Sequence, residues 1–159
     1  MRHVLWNIDD AVKPWACTLF GKPPEVYGED ARFAAIVDDE GKALAAAVYT
    51  DYYPVDGTLQ LHFAAASPRW ATKDVIRQVL GYAFETCGVQ KLWTATPQQN
   101  ERALKLNYGL GFKREAILQR HFGRDTAAVI CRMYQEDYIR LWGGRKAKNG
   151  KKRTKSKNT

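Results

Sequence analysis

The spacing of apolar residues changes between residues 59 and 88, and this change limits the folds open to the chain. Leu59 to Ala66 is predicted to be a strand, with Leu59, Leu61 and Phe63 on one face and Gln60, His62 and Ala64 on the other. From Thr72 to Gly88 the apolar residues follow helical spacing, with Thr72 placed to cap the helix and Gly88 to close it. A strand that passes through a short loop into an amphipathic helix predicts helices packed on a sheet.

Hydrophobic periodicity and turn residues predict the remaining elements. Further strands are expected over residues 2–8, 32–39, 42–53, 91–96, 112–120 and 126–133. Helices are expected from Asp9 or Asp10 to Gly21, after an Asn100 cap, and over 134–142. Pro14 predicts that the first helix starts late or is broken. The order of these elements predicts an α+β (mixed α/β) fold built on one sheet.

The positive charge of the chain is concentrated at one end. The protein has 159 residues and a formal net charge of +8, and eight of its 25 Lys and Arg residues lie in residues 143–159. The 17 that remain balance the 17 Asp and Glu residues. We therefore expect one domain over residues 1–142 and a disordered basic tail over 143–159. The tail is either a solvated terminus or an electrostatic arm for nucleic acid or the ribosome.

Cysteine usage and hydropathy predict a cytoplasmic protein. The three cysteines, Cys17, Cys87 and Cys131, are far apart and do not have the spacing of metal ligands. They are expected to be buried free thiols in a reducing compartment, and no metal site is expected. The sequence lacks both a run long enough to cross a membrane and the features of a secretory signal, so no membrane contact is expected.

The first candidate binding feature is the junction between the predicted strand and helix, Ala64-Ala65-Ala66-Ser67-Pro68-Arg69-Trp70-Ala71-Thr72-Lys73. Free N–H groups at the start of the helix would point into this loop, where the helix dipole favours an anion. Arg69 and Lys73 add positive charge. The junction is therefore either a phosphate site or an ordinary turn with two solvated cations.

The second feature is the segment from Asn100 to Phe112. Asn100, Ala103, Leu106, Leu110, Gly111 and Phe112 stand in the order Asn-x-x-Ala-x-x-Leu-x-x-x-Leu-Gly-Phe. Together with the junction, this pattern resembles the GNAT acetyltransferases, over residues 34–142. The likeness is to ribosomal-protein alanine acetyltransferases and, through Arg69-Trp70-Ala71-Thr72, to short bacteriophage GNAT proteins.

The resemblance implies direct acetyl transfer from acetyl-CoA to a primary amine, on a mostly antiparallel sheet with a splay between two strands. Acetyl-CoA would lie between the 59–66 and 91–96 strands. The residues implied to contact it are Ala64, Ala65, Ala66, Ser67, Arg69, Trp70, Ala71, Thr72, Lys73, Asn100 and Ala103. The family's cofactor loop carries glycines that are missing here, so Arg69, Thr72 and Lys73 would replace backbone contacts.

Catalytic roles are predicted for His62, Asn107 and Tyr108. His62 lies in the strand where the family often has a general base, and a histidine near its usual pKa suits that task. It could equally be a sheet histidine bonded to a neighbour. The tyrosine that serves as the family's acid aligns with Asn107, whereas Tyr108 lies about 100° further around the helix. The alternative function is a catalytically silent binding protein with the same fold, whose tail contacts nucleic acid.

Overall fold

Seven strands form one sheet in the order β1-β2-β3-β4-β5-β7-β6 in this computed structural model, which describes residues 1–147. The strands are β1 (His3–Leu5), β2 (Arg32–Val37), β3 (Ala43–Tyr53), β4 (Thr58–Ala65), β5 (Lys91–Pro97), β6 (Lys113–Leu118) and β7 (Ala128–Tyr134). The helices are α1 (Asp9–Phe20), α2 (Lys73–Gly81), α3 (Glu101–Leu110) and α4 (Gln135–Trp142). Within the described residues, β4 and β5 are the one parallel pair of neighbours. The predicted α+β class and mostly antiparallel sheet are confirmed.

Alanine in β3 allows helices to lie close to both faces of the sheet. Ala45, Ala46 and Ala47 are fully buried. Ala45 and Ala47 belong to the apolar cluster formed with α2, and Ala46 to the cluster formed with α1. A side chain of one carbon occupies little space between sheet and helix, which explains a strand of low intrinsic propensity. The sheet therefore has α1 on one face and α2 with α3 on the other.

Helix α1 covers its expected span without a break at Pro14. Ile8 is its N-cap, Asp9 and Asp10 lie in its first turn, and Pro14 lies inside it without interrupting it. The predicted late start or break is wrong. Pro14, in the middle of the helix, removes one backbone donor, but burial of Val12 and Ala16 holds the helix on the sheet. The helix ends at Gly21, which has a φ of 64°.

Helix α2 is shorter than the sequence predicts. The Thr72 cap is present, with Oγ1 accepting from Val75 N–H at 3.3 Å. The α-helix ends at Gly81, however, and a π-helical turn over Tyr82–Thr86 replaces its predicted last turns. The wider turn shifts the phase of the residues that follow, and both Ala83 and Phe84 are fully buried there.

The structure also bears on the predictions about the cysteines, membrane spans, metal ligands and the basic tail. The thiols of Cys17 and Cys131 are buried and that of Cys87 is half-buried, all three unpaired. No helix in residues 1–147 combines the length and hydropathy that a bilayer span requires. The described residues contain no cluster of potential metal ligands. Most of the predicted basic tail, from residue 148 onward, lies outside the described residues, and with it the predicted nucleic-acid contact.

Candidate active site

A gap opens in the sheet between β4 and β5. The two strands pair at Thr58 with Lys91, Leu59 with Leu92 and Gln60 with Trp93, and the pairing stops there. Both strands continue, β4 to Ala65 and β5 to Pro97, and β5 remains paired with β7 along its whole length. The gap lies where the sequence resemblance implies a splay.

Backbone groups of β4 face this gap. The N–H of Ala66 donates to the Leu44 carbonyl of β3 at 2.8 Å, whereas the Gly57 carbonyl accepts from Lys91 N–H at 3.1 Å on the β5 side. Because backbone groups alternate along a strand, the peptide groups of Leu61, Phe63 and Ala65 point away from β3. Beyond Gln60 this direction leads into the gap, which can accept an extended chain as an added strand.

The predicted phosphate loop is a short 3₁₀ turn, Pro68–Trp70. Ser67 Oγ accepts from the Arg69 N–H at 3.3 Å and fixes the start of the turn. Arg69, Ala71, Thr72 and Lys73 are exposed. The first-turn N–H groups of α2 and two cations therefore lie at the end of β4, beside the exposed Ala65 and Ala66.

The side chain of Trp70, within this turn, is part of the apolar core. Its side chain is 2% exposed and packs on Phe63 with ring centroids 5.1 Å apart. The indole therefore joins β4 to the start of α2. Its predicted contact with the cofactor would have to be made by its backbone.

Helix α3 lies across β5 on the same face as α2. Asn100 caps it, with Oδ1 accepting from Ala103 N–H at 3.2 Å. Asn107 is 4% exposed and donates its amide hydrogens to Thr94 Oγ1 at 3.3 Å and Thr96 Oγ1 at 3.1 Å. Tyr108 is 46% exposed and lies beside the Cys131 thiol of β7, with β5 between it and β4.

Replacing Asn107 with alanine is expected to lower the free energy of unfolding by roughly 1–3 kcal/mol, because two buried threonine hydroxyls lose their partner. Urea denaturation measures the difference, with Tyr108→Phe as a control of small expected effect. An Asn107→Ala variant as stable as the wild type would show that the amide does not hold α3 on β5.

His62 lies on the opposite face of β4, under α1. Its ring is edge-on to Phe20 and Tyr27, with centroids 6.3 and 6.0 Å away, and its Nε2 is 2.8 Å from Thr50 Oγ1. Burial, followed by the positive charge of Lys22, lowers the pKa of His62 to about 4, although Asp51 acts in the opposite direction. The imidazole is therefore neutral at physiological pH, with a much lower pKa than the sequence suggests.

A cavity of about 700 Å³ adjoins His62. Its walls combine aromatic rings with side chains of both charges, among them Lys22, Tyr27, Glu29, Arg32, Thr50, Asp51 and Tyr52. A second cavity, of about 750 Å³, lies beside Trp6 and α2, and His62 does not line it. The cavity at His62 is lined from both sides of the sheet, since Tyr49 and Leu59 of the α2-side cluster also contribute to it.

Sequence reasoning missed Thr50 and Asp51. Thr50 is opposite Gln60 in the sheet and reaches His62 diagonally, while Val48 is the direct partner of His62. Only the register of β3 against β4 brings the two side chains together. A correct prediction of that register would therefore have been needed to place Thr50 beside His62.

No protein-family model matches the chain, and no curated protein sequence is significantly similar to it. Solved structures do match. A chimera of the Vibrio cholerae spermidine N-acetyltransferase SpeG and hSSAT aligns with a TM-score of 0.69 at 17% identity, over 87% of this chain and 98% of that one. A single-residue mutant of the Vibrio cholerae enzyme gives a TM-score of 0.70 at 16% identity, over 89% and 96% of the two chains. The same enzyme in complex with manganese ions gives 0.66 at 15% identity, over 89% and 95%.

The chain has the GNAT fold, a mixed sheet with one splayed parallel junction. The resemblance found in its sequence is confirmed at the level of the fold. The three solved structures described above are spermidine N-acetyltransferases or variants of one.

Proposed function

We propose that this protein is an N-acetyltransferase that transfers the acetyl group of acetyl-CoA to a primary amine. One observation carries the proposal: the gap beside β4 ends at a cationic strand-to-helix turn, and His62 of the same strand lines a cavity. A long thioester and an amine could then meet at β4. The shared fold of N-acetyltransferases supports this assignment.

The gap is suited to the pantetheine arm of acetyl-CoA. That arm carries amide groups, which pair with the peptide groups of Leu61, Phe63 and Ala65 in the manner of an added strand. Its pyrophosphate then meets the turn, where Arg69, Lys73 and the first N–H groups of α2 supply positive charge. Asn100 and Ala103, at the N-terminal end of α3, would contact the cofactor from the β5 side.

The acceptor amine enters the cavity that His62 lines. The neutral amine attacks the thioester carbon, a C–N bond forms, and the C–S bond breaks. A peptide N–H of β4 stabilises the negative charge that develops on the carbonyl oxygen. His62 takes a proton from the attacking nitrogen, which becomes strongly acidic once it is bonded to the acyl carbon.

The departing thiolate must gain a proton. Tyr108 and water are the two candidate donors, and Asn107 positions α3 through its two threonines. A Tyr108→Phe variant with unchanged kcat would assign that proton to water.

Binding of acetyl-CoA tests the first half of the proposal. The Arg69→Ala variant is expected to bind acetyl-CoA about tenfold more weakly, because one charge-assisted contact to phosphate is lost. Isothermal titration calorimetry measures the change. Arg114→Ala, which removes another exposed arginine, from β6, is the matched control and should bind as the wild type does.

Turnover tests the second half. The wild-type protein is incubated with acetyl-CoA and a series of primary amines, and free thiol is measured as it forms. Binding without thiol release for any amine would favour the catalytically silent alternative. No binding at millimolar acetyl-CoA would contradict the proposal as a whole.

A further inference from the structure

We propose that Thr50 and Asp51 are positioning residues that hold His62 with its proton on Nε2, so that Nδ1 is the atom that accepts the proton of the amine. This inference rests on the proposed function, in which His62 is the base. It follows from three atoms in sequence: His62 Nε2 is 2.8 Å from Thr50 Oγ1, and Thr50 Oγ1 is 3.0 Å from Asp51 Oδ2.

Counting protons along this chain fixes the tautomer. The Thr50 hydroxyl has one hydrogen, and an ionised carboxylate can only accept, so the hydroxyl donates to Asp51. Its oxygen must then accept from His62, which places the imidazole proton on Nε2. The other tautomer would set two lone pairs against each other at 2.8 Å.

The backbone of β3 is bent where it supplies Asp51. Asp51 has a φ of 53°, and the register between β3 and β4 is irregular between Thr50 and Tyr53. A non-glycine residue in the left-handed region is uncommon, and bulges often re-aim side chains at functional sites. Here the bend accompanies a carboxylate that reaches back to the hydroxyl of its own neighbour.

The Nδ1 atom of His62 is accessible from the cavity. The hydrogen bond of the His62 ring is made by Nε2, and Nδ1 has no partner. If Nδ1 were fully buried, it would be a buried polar atom without a partner, but in residues 1–147 Tyr27 Oη is the only such side-chain N or O atom. Nδ1 is therefore not sealed from solvent, and His62 lines the cavity. A lone pair at this position can accept a proton from a bound amine.

The groups around His62 explain why a fixed carboxylate matters. The rings of Phe20 and Tyr27 bury the imidazole, and Lys22, just after α1, opposes its protonation. Asp51 is the charged group that favours it. When Nδ1 takes the proton, the imidazolium keeps its Nε2–H bond to Thr50, and the Asp51 charge stabilises it through the hydroxyl. No proton moves along the chain of three residues.

The decisive variant is Thr50→Val, which keeps the shape of the side chain and removes the hydroxyl. We expect kcat to fall about tenfold, with the KM for the amine within about twofold of the wild type, because a positioning role affects proton transfer more than binding. Thr50→Ser, which restores the hydroxyl, should recover most of the lost kcat. Thr86→Val, on the exposed side of the π-helical turn, is the matched control.

The Asp51→Asn variant separates charge from shape, since asparagine also tolerates the left-handed conformation. Removing the negative charge is expected to move the pKa of His62 below about 4, so the acid limb of the pH–rate profile should shift to lower pH. An unshifted acid limb would show that Asp51 has no influence on the base.

A readout independent of activity is the ¹⁵N chemical shifts of the His62 ring, which report the tautomer directly. The wild-type protein should show the proton on Nε2, and Thr50→Val should show a mixture of both tautomers. A proton on Nδ1 in the wild type, or an unchanged kcat in Thr50→Val, overturns the inference. If His62→Ala is fully active, the proposed role of His62 fails instead, and the ring shifts still decide the tautomer.

Discussion

The His62→Ala variant is expected to lose about 10²–10³-fold in kcat with acetyl-CoA and an accepted amine. General acid–base catalysis by a positioned side chain contributes about 10²–10⁴-fold, and water in the vacated space would replace part of it. The KM for acetyl-CoA should change little, because the cofactor is expected to bind through backbone groups of β4 that the substitution leaves in place. Steady-state kinetics with thiol detection measures both constants.

The pKa of His62 determines how the rate of the wild-type protein should depend on pH. Only the neutral imidazole can accept a proton, and the pKa of His62 is about 4. As far as His62 is concerned, the rate should therefore be constant above about pH 5 and fall as the pH drops through 4. A histidine with its usual pKa of about 6.5 would instead lose activity between pH 7 and 6.

The same shift affects stability. The unfolded chain protonates His62 near pH 6.5, whereas the folded protein does so only near pH 4. The unfolded state therefore binds more protons in this window, and the folded state loses stability as the pH falls from 6.5 to 4. The His62→Ala variant should lose that part of the dependence.

His3→Ala provides the matched control for the kinetic prediction. His3 is an exposed histidine bonded to Asp39, on the edge strand β1. It should leave kcat and the pH–rate profile as they are. A His62→Ala variant that folds and turns over as fast as the His3→Ala variant would remove His62 as the base.

The second large effect is expected for Trp70→Ala, which should lower the free energy of unfolding by about 3–5 kcal/mol. The indole is 2% exposed and packs on Phe63, so its removal leaves a cavity between β4 and the start of α2. For a domain of this size the melting temperature should fall by on the order of 10 °C. Calorimetry or thermal unfolding followed by circular dichroism measures the shift.

Two variants identify the cause of this loss. Trp70→Phe keeps an aromatic ring in the core and should retain most of the stability. Trp15→Ala removes a half-buried indole from α1 and should have a smaller effect. If Trp70→Ala instead melts as the wild type does while binding acetyl-CoA weakly, the indole is a cofactor contact, as the sequence resemblance implied.

Local patterns predicted those elements whose determinants lie within a few residues. The change of period at β4 and α2, and the caps Thr72 and Asn100, depend on neighbours in sequence, and all appear in the structure. The continuity of α1 was not predicted, because Pro14 favours a break locally. Packing of Val12 and Ala16 on the sheet outweighs the one hydrogen bond that Pro14 removes. The end of α2 could not be predicted from the local sequence either, since the π-helical turn accompanies burial of Ala83 and Phe84 in the core.

The candidate site shows the same division. Its position at the end of β4 follows from the strand, the turn and the helix in sequence. The surroundings of His62 depend on contacts between distant segments, namely Phe20, Tyr27 and Thr50. These contacts set the pKa of His62, so the sequence alone assigned it an ordinary value.

The short junction between β4 and β5 divides the sheet into two parts along the chain. Strands β1 to β4 are successive antiparallel neighbours, and β5, β6 and β7 form a second antiparallel group from the later residues. Within each group, all paired strands are close in sequence, because at most one α-helix lies between them, so each group can assemble at low entropic cost during folding. Three residue pairs and a shared apolar cluster then join them. A molecule that fills the gap would hydrogen-bond along the seam between two folding units, so its binding should raise the cooperativity of unfolding as well as the stability.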